Sequence, residues 1–130
     1  MMKNKQGGTV AVECAFFALL LGGLLLVMVE GSNAIHTYSK LLDASREGAR
    51  QVLREDGDTS EVSNLVQSLT ADMAHPCQTS VSTNSANKTV TVEVSYEYDW
   101  FLWSGQGDSY FAAYKDDPLV LRATTTMPLP

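Results

Sequence analysis

Residues 10–29 form an apolar stretch of 20 residues that contains one charged side chain, Glu13. As an α-helix, a stretch of this length is about 30 Å long, which matches the hydrocarbon core of a bilayer. The stretch begins close to the N-terminus of a chain of 130 residues, a length typical of one domain. It therefore predicts a segment that enters a membrane or directs export, followed by a single small body.

The body that follows is polar and acidic. Residues 31–130 carry 7 Lys/Arg and 13 Asp/Glu, a net charge of −6, and contain no basic cluster. This balance argues against nucleic acid as a partner. Lys3 and Lys5 precede the apolar stretch, and the next basic residue is Lys40. The asymmetry predicts a cytoplasmic N-terminus and an exported body, which in a bacterium lies in the periplasm or outside the cell.

Three explanations of the apolar stretch remain open at this point. The first is an uncleaved single-pass anchor. The second is a secretory signal peptide cleaved after Ala34, because Ser32, Asn33 and Ala34 form a small-x-small site. The third gives Glu13 a role: a carboxylate within a membrane helix costs roughly 2.5–3.5 kcal/mol on insertion scales, so a partner for it is expected.

The start of the stretch resembles the processing site of type IV pilin-like proteins. Their basic leader ends in glycine, a prepilin peptidase cuts after it, and glutamate is the fifth residue of the mature chain. The resemblance implies cleavage between Gly8 and Thr9, which makes Glu13 that fifth residue. The new amine of Thr9 is charged near neutral pH, and pairing with Glu13 of the same or a neighbouring subunit would set the axial register.

Two motifs narrow the resemblance to TadE-like proteins, the minor pilins or pseudopilins of the Tad (tight adherence) system. That family typically has Val-Glu-Phe-Ala early in the helix, and here Cys14 replaces the Phe. About thirty residues later the family has Ala-Ala-Arg-Glu-Gly-Ala-Arg, and here Ser45 replaces an Ala. The second motif continues through Arg46, Glu47, Gly48, Ala49 and Arg50.

The resemblance implies a structural, non-enzymatic protein of a Tad-type (type IVc) pilus used in adhesion or secretion. Its implied partners are a prepilin peptidase, other Tad pilins, the inner-membrane assembly machinery and the lipid bilayer. The implied organisation is a leader over residues 1–8, a transmembrane assembly helix over 9–30 and a periplasmic or extracellular domain over 31–130. The mature chain would carry a net charge of −8, because Lys3 and Lys5 leave with the leader.

The helix is expected to continue beyond the membrane, from Thr9 to Arg54. Apolar or small residues recur every three to four positions from Ile35 and Tyr38 to Leu53. Arg46, Arg50 and Arg54, here called the arginine stripe, share one side of this helix at i, i+4 spacing. The stripe is either a solvated face or a docking face for an acidic neighbouring subunit. Gly48 within a helix indicates close approach of another element over Gly48 and Ala49.

The remainder of the chain predicts an α+β fold of the pilin-like kind. A second short helix is expected where Val62, Val66 and Met73 recur at helical spacing, capped by Thr59 or Ser60. A small antiparallel sheet of three or four strands follows. Its strands are expected over residues 78–83, 89–98 and 119–126. On the second strand one face packs on a helix and holds Val90, Val92, Val94, Tyr96 and Tyr98. On the third, one side holds Leu119, Leu121, Ala123 and Thr125.

The other candidate sites are weaker. Cys77 is either a buried free thiol or an intermolecular disulfide partner, and two cysteines do not make a disulfide framework. A calcium site is a weak alternative for the acidic loop, which we define as Glu55, Asp56, Asp58 and Glu61. The pattern lacks the glycine and the distant glutamate of an EF-hand. His75 has no third group to support metal binding or catalysis, and no cofactor is expected. Aromatic residues either close the core or form an interaction surface, and they include Trp100, Phe101, Trp103, Tyr110 and Phe111.

Overall fold

The computed structural model describes residues 5–100 and 119–130 and gives an α+β fold. Two helices precede three strands: α1 (Lys5–Arg54), α2 (Val62–Leu69), β1 (Gln78–Asn84), β2 (Thr89–Tyr98) and β3 (Leu119–Pro128). The chain divides into two compact units, Met1–Asn33 and Ala34–Pro130. The predicted long helix, short second helix and antiparallel sheet are therefore confirmed.

Helix α1 ends in a turn built by its own backbone. Asp56 has a φ of 51° and Gly57 a φ of 97°, which reverses the chain direction after the last helical turn. The Gly57 amide then donates to the Val52 carbonyl at 2.9 Å, so a terminal carbonyl of the helix is satisfied. The helix therefore ends at Arg54, as expected.

Helix α2 begins differently from the prediction. Its N-cap residue is Glu61, which makes no side-chain capping hydrogen bond, so the expected cap by Thr59 or Ser60 is wrong. The Ser60 amide instead donates to Asp58 Oδ1 at 2.9 Å, which places the polar turn before the helix. Met73 lies beyond the end of α2, although its side chain still packs against the core.

The sheet has the strand order β1-β2-β3, and both pairs of neighbours are antiparallel. Strand β2 alternates as predicted, with Val90, Val92, Val94, Tyr96 and Tyr98 buried. On strand β3, Ala123 is fully buried and Leu121 and Thr125 are half-buried, whereas Leu119 at the start of the strand is 37% exposed. Leu119 pairs with Tyr98, the last residue of β2, so it lies at the end of the ladder.

The core of the second unit lies between α1, α2 and the inner face of the sheet. Its fully buried residues include Leu41, Ala49 and Val52 of α1, and Val62 and Val66 of α2. The expected inward face of α1 is wrong at Ile35 and Tyr38, which are 69% and 42% exposed. Ala34 packs against the core at this end of the face, while further along the helix Leu41, Ser45 and Val52 are buried as the expected spacing requires.

Candidate assembly helix and its packing motif

The residues of the predicted processing and assembly site all lie on α1. Gly8, Thr9 and Glu13 are helical and exposed in the isolated chain. A side chain at Gly8 would meet nothing within 4 Å. Cys14, which stands where the family pattern has Phe, is also exposed and is a free thiol.

The surface around Glu13 is apolar over several turns. Within the described residues, one helix is long and apolar enough to cross a membrane. No residue in its most apolar 18-residue segment is buried. The exposed large side chains over residues 10–29 are Val10, Val12, Phe16, Phe17, Leu19, Leu20, Leu21, Leu24, Leu25, Leu26, Val27, Met28 and Val29. Water is a poor solvent for such a surface, so a lipid or protein environment must cover it.

The second motif divides between two sides of α1. Gly48 and Ala49 are buried, whereas Arg46 and Arg50 are exposed and Glu47 is half-buried. A Cβ added at Gly48 would lie 3.1 Å from Val62 Cγ1 and 3.3 Å from Val92 Cγ1. Both valines are fully buried. Helix α2 and strand β2 thus approach the helix at Gly48, which is the close approach expected from a glycine in mid-helix.

Ser45 joins α1 to the sheet through a hydrogen bond that was not predicted from the sequence. Its hydroxyl is fully buried, donates to the Leu42 carbonyl at 2.9 Å and lies 2.7 Å from Thr125 Oγ1. The two residues are 80 positions apart. The departure from the Ala of the family pattern was the available signal, since a hydroxyl buried in a helix needs a partner.

The arginine stripe forms a network with two carboxylates. Arg46 Nη1 lies 3.7 Å from Asp43 Oδ1, and Arg50 Nη1 lies 3.5 Å from Glu47 Oε2. The other Glu47 oxygen, Oε1, lies 3.4 Å from Arg54 Nη2. The three guanidinium groups are 54–65% exposed, so each pair contributes little, typically less than about 1 kcal/mol.

Two further polar contacts hold the connection between α2 and β1. Lys40 of α1 forms a salt bridge with Asp72. The hydrogen bond from Lys40, then its positive charge, lowers the pKa of Asp72 below the ordinary value of 3.8. His75 Nε2 lies 2.5 Å from Asp99 Oδ2, which follows β2. The ring of His75 is also 6.3 Å from that of Tyr96, whose pKa is raised mainly by burial.

Cys77 and the aromatic residues give different outcomes. Cys77 is 5% exposed, and its Sγ lies 3.8 Å from Met73 Sδ, which favours the interpretation as a buried free thiol.

Trp100 is 44% exposed and meets Tyr98 edge-on at 6.2 Å. The other members of the candidate interaction surface, Phe101, Trp103, Tyr110 and Phe111, lie outside the described residues. Over residues 5–100 and 119–130, no three His, Cys, Asp or Glu residues converge as a metal site.

Comparison with known proteins places the family pattern on α1. The comparisons with curated proteins and with solved structures gave no match. The family model described as TadE-like protein matches residues 8–50, which contain Gly8, Glu13 and the whole second motif. This match covers about a third of the chain and confirms the TadE-like resemblance that the two motifs carry.

Proposed function

We propose that this chain is a structural minor pilin or pseudopilin of a Tad-type (type IVc) pilus. The observation that carries the proposal is that the TadE-like match falls on an exposed apolar helix. This helix contains one carboxylate, Glu13, within its apolar stretch. A helix of this kind serves two environments in turn, first the bilayer and then the interior of a filament. The proposed role involves no catalysis.

The proposed processing step removes residues 1–8 and creates a charged amine on Thr9. In a low-dielectric filament core, this amine and the Glu13 carboxylate compensate each other's desolvation. Because an unpaired buried charge is costly, subunits out of register would be disfavoured by several kcal/mol. Glu13 is thus proposed to set the axial register of assembly rather than to stabilise the isolated subunit.

The proposed location follows from the charges that flank the helix. Lys3 and Lys5 lie on the cytoplasmic side, and the acidic body lies in the periplasm until the subunit joins an extracellular pilus. The proposed partners are the prepilin peptidase, other Tad pilins, the inner-membrane assembly machinery and the bilayer. The organisation proposed is a leader over residues 1–8, an assembly helix over 9–30 and an exported domain over 31–130.

The test is the mass of the mature chain after expression with and without a prepilin peptidase. The proposal expects Thr9 at the N-terminus only when the peptidase is present. An unchanged Met1 start would indicate an uncleaved anchor, and an Ile35 start would indicate a secreted protein cleaved after Ala34. Either result would overturn the proposed processing.

Two neighbouring glycines provide a matched control. Gly8→Val should block cleavage, because the peptidase recognises the residue before the cut. Gly7→Val, the same change one position earlier, should leave cleavage largely intact. Equal cleavage of both variants would show that Gly8 is not the recognised residue.

A further inference from the structure

The arginine stripe is a helix face that carries more positive than negative charge. Arg46, Arg50 and Arg54 project away from the core, since Gly48 and Ala49 occupy the buried side of the same turns. Two carboxylates, Asp43 and Glu47, serve these three guanidinium groups at 3.4–3.7 Å. Because these ion pairs are long and exposed, the arginines can exchange them for shorter ion pairs with carboxylates of another molecule.

The acidic loop is the complementary feature on the same unit. Between residues 55 and 87 the sequence contains no Lys or Arg. Asp56, Asp58 and Glu61 are exposed, and among the described residues none of the four loop carboxylates belongs to an ion pair. The hydrogen bond from the Ser60 amide lowers the pKa of Asp58, so this carboxylate is fully charged at neutral pH.

The stripe and the loop are neighbours along the chain, yet they do not neutralise each other. Arg54 pairs with Glu47, two turns back along α1, and among the described residues no ion pair joins the stripe to the loop. One exported unit thus carries a basic face whose ion pairs are long and exposed and an acidic loop whose carboxylates form no ion pair among the described residues. Charges arranged in this way complement those of an identical unit.

We propose that the acidic loop of one copy of this chain docks on the arginine stripe of a second copy. The contact joins two different patches, so it is heterologous, and repetition of a heterologous contact that does not close generates a filament. This inference rests on the proposed function, because it supplies a lateral contact between exported domains in addition to the pairing of Glu13 within the helical core. The partner that binds the arginine stripe is thus a second copy of the same chain.

The test is site-directed cross-linking of the full chain in membranes, in a Cys14→Ser background. One tagged copy carries Asp43→Cys beside the stripe, and a differently tagged copy carries Thr59→Cys in the loop. A short bismaleimide should join the two tags. The matched control replaces Asp43→Cys with Thr124→Cys, an exposed position on β3. The stripe reporter should give several times the yield of this control.

Charge reversal then tests whether electrostatics drives the contact. Arg50→Glu in the stripe copy, or Asp58→Arg in the loop copy, should each lower the yield roughly fivefold, since each replaces an attraction with a repulsion. The two variants mixed together should recover the yield, because the reversed charges again match. Raising salt from about 0.05 M to about 1 M should also weaken the contact, as the Debye length falls to about 3 Å.

Each other outcome overturns the inference. A yield equal to that of the Thr124→Cys control, or one insensitive to both reversals, would show that the copies do not meet in this way. An effect of Arg50→Glu that requires anionic phospholipid and is not matched by Asp58→Arg would make the membrane surface the occupant.

The N-terminal mass measured on the same samples separates this inference from the proposed function. A Thr9 start without a charge-dependent cross-link overturns only the docking. A Met1 or Ile35 start overturns the processing, and the cross-link then decides the self-contact independently.

Discussion

Ser45 on α1 and Thr125 on β3 share a hydrogen bond of 2.7 Å between their hydroxyl groups. Ser45 also donates to the Leu42 carbonyl of its own helix, so its buried hydroxyl is satisfied on two sides. The bond adds a directional contact between the helix and the sheet to the apolar packing around it. Ser45 lies within the second motif and within the residues of the TadE-like match.

We expect Ser45→Ala to lower the free energy of unfolding by about 1 kcal/mol, since it leaves the half-buried Thr125 hydroxyl without this partner. Ser45→Ala combined with Thr125→Val should recover most of the loss, because both polar groups are then removed. Ser39→Ala is the control: this exposed hydroxyl bonds only within its helix, and its loss should cost less than about 0.5 kcal/mol. Urea unfolding of the full chain in detergent measures all four proteins. A double variant as unstable as Ser45→Ala would contradict the coupling.

Gly48→Ala should destabilise the body by about 1 kcal/mol, although alanine is the better helix former. The new methyl group would lie 3.1 Å from a methyl group of the fully buried Val62, and overpacking outweighs the gain in helix propensity. Adding Val62→Ala should make the double variant less destabilised than the sum of the two single changes. Gly31→Ala, where the added atom meets nothing within 4 Å, should cost nothing. Stabilisation by Gly48→Ala would contradict this packing argument.

The Lys40–Asp72 pair predicts a specific dependence on pH. The pKa of Asp72 is lowered by the hydrogen bond and the charge of Lys40, so the folded state favours the carboxylate. Its contribution to stability is therefore present above the ordinary value of 3.8 and lost as the pH falls through the lowered pKa. Wild type should exceed Asp72→Asn in stability at neutral pH, and the two should converge in acid. In a Lys40→Gln background the Asp72→Asn change should have almost no effect, and an undiminished effect would assign the contribution to another partner.

Cys77 should react slowly with a maleimide in the folded chain, since its thiol is covered and lies against Met73. In a Cys14→Ser background, labelling should rise sharply on unfolding in urea. The complementary Cys77→Ser variant keeps only the exposed Cys14. In the absence of detergent, this thiol should be labelled quickly only where the apolar helix is accessible to the reagent. Rapid labelling of folded Cys77, or a disulfide-linked dimer on a non-reducing gel, would instead support the intermolecular disulfide.

Glu13→Ala should leave cleavage after Gly8 largely intact and reduce incorporation into filaments by about tenfold or more. The reason is that removing one partner of a buried pair leaves the amine of Thr9 uncompensated. Cys14→Ala, at the next position of the same exposed helix, is the control and should assemble normally. The ratio of filament-borne to membrane-borne chain measures the effect. Normal incorporation of Glu13→Ala would remove the register role from this carboxylate.

Much of the fold was predictable because it depends on local periodicity. The helix expected from Thr9 to Arg54 is observed from Lys5 to Arg54, and the inner face of β2 was assigned from alternation alone. The failures lie where neighbouring residues compete. Ile35 and Tyr38 fit the helical spacing but are exposed where Ala34 packs against the core, whereas Leu41, Ser45 and Val52 of the same spacing are buried.

The sequence by itself determined the apolar helix, its single carboxylate and the two motifs, since composition and short-range spacing encode them. Only the tertiary structure decided what the second motif does. Position 48 requires a glycine because Val62 and Val92 pack closely against it. The hydroxyl group of Ser45 forms a hydrogen bond with that of Thr125 on the sheet. These partners come from distant parts of the chain, and packing, rather than any local pattern, brings them to the same helix.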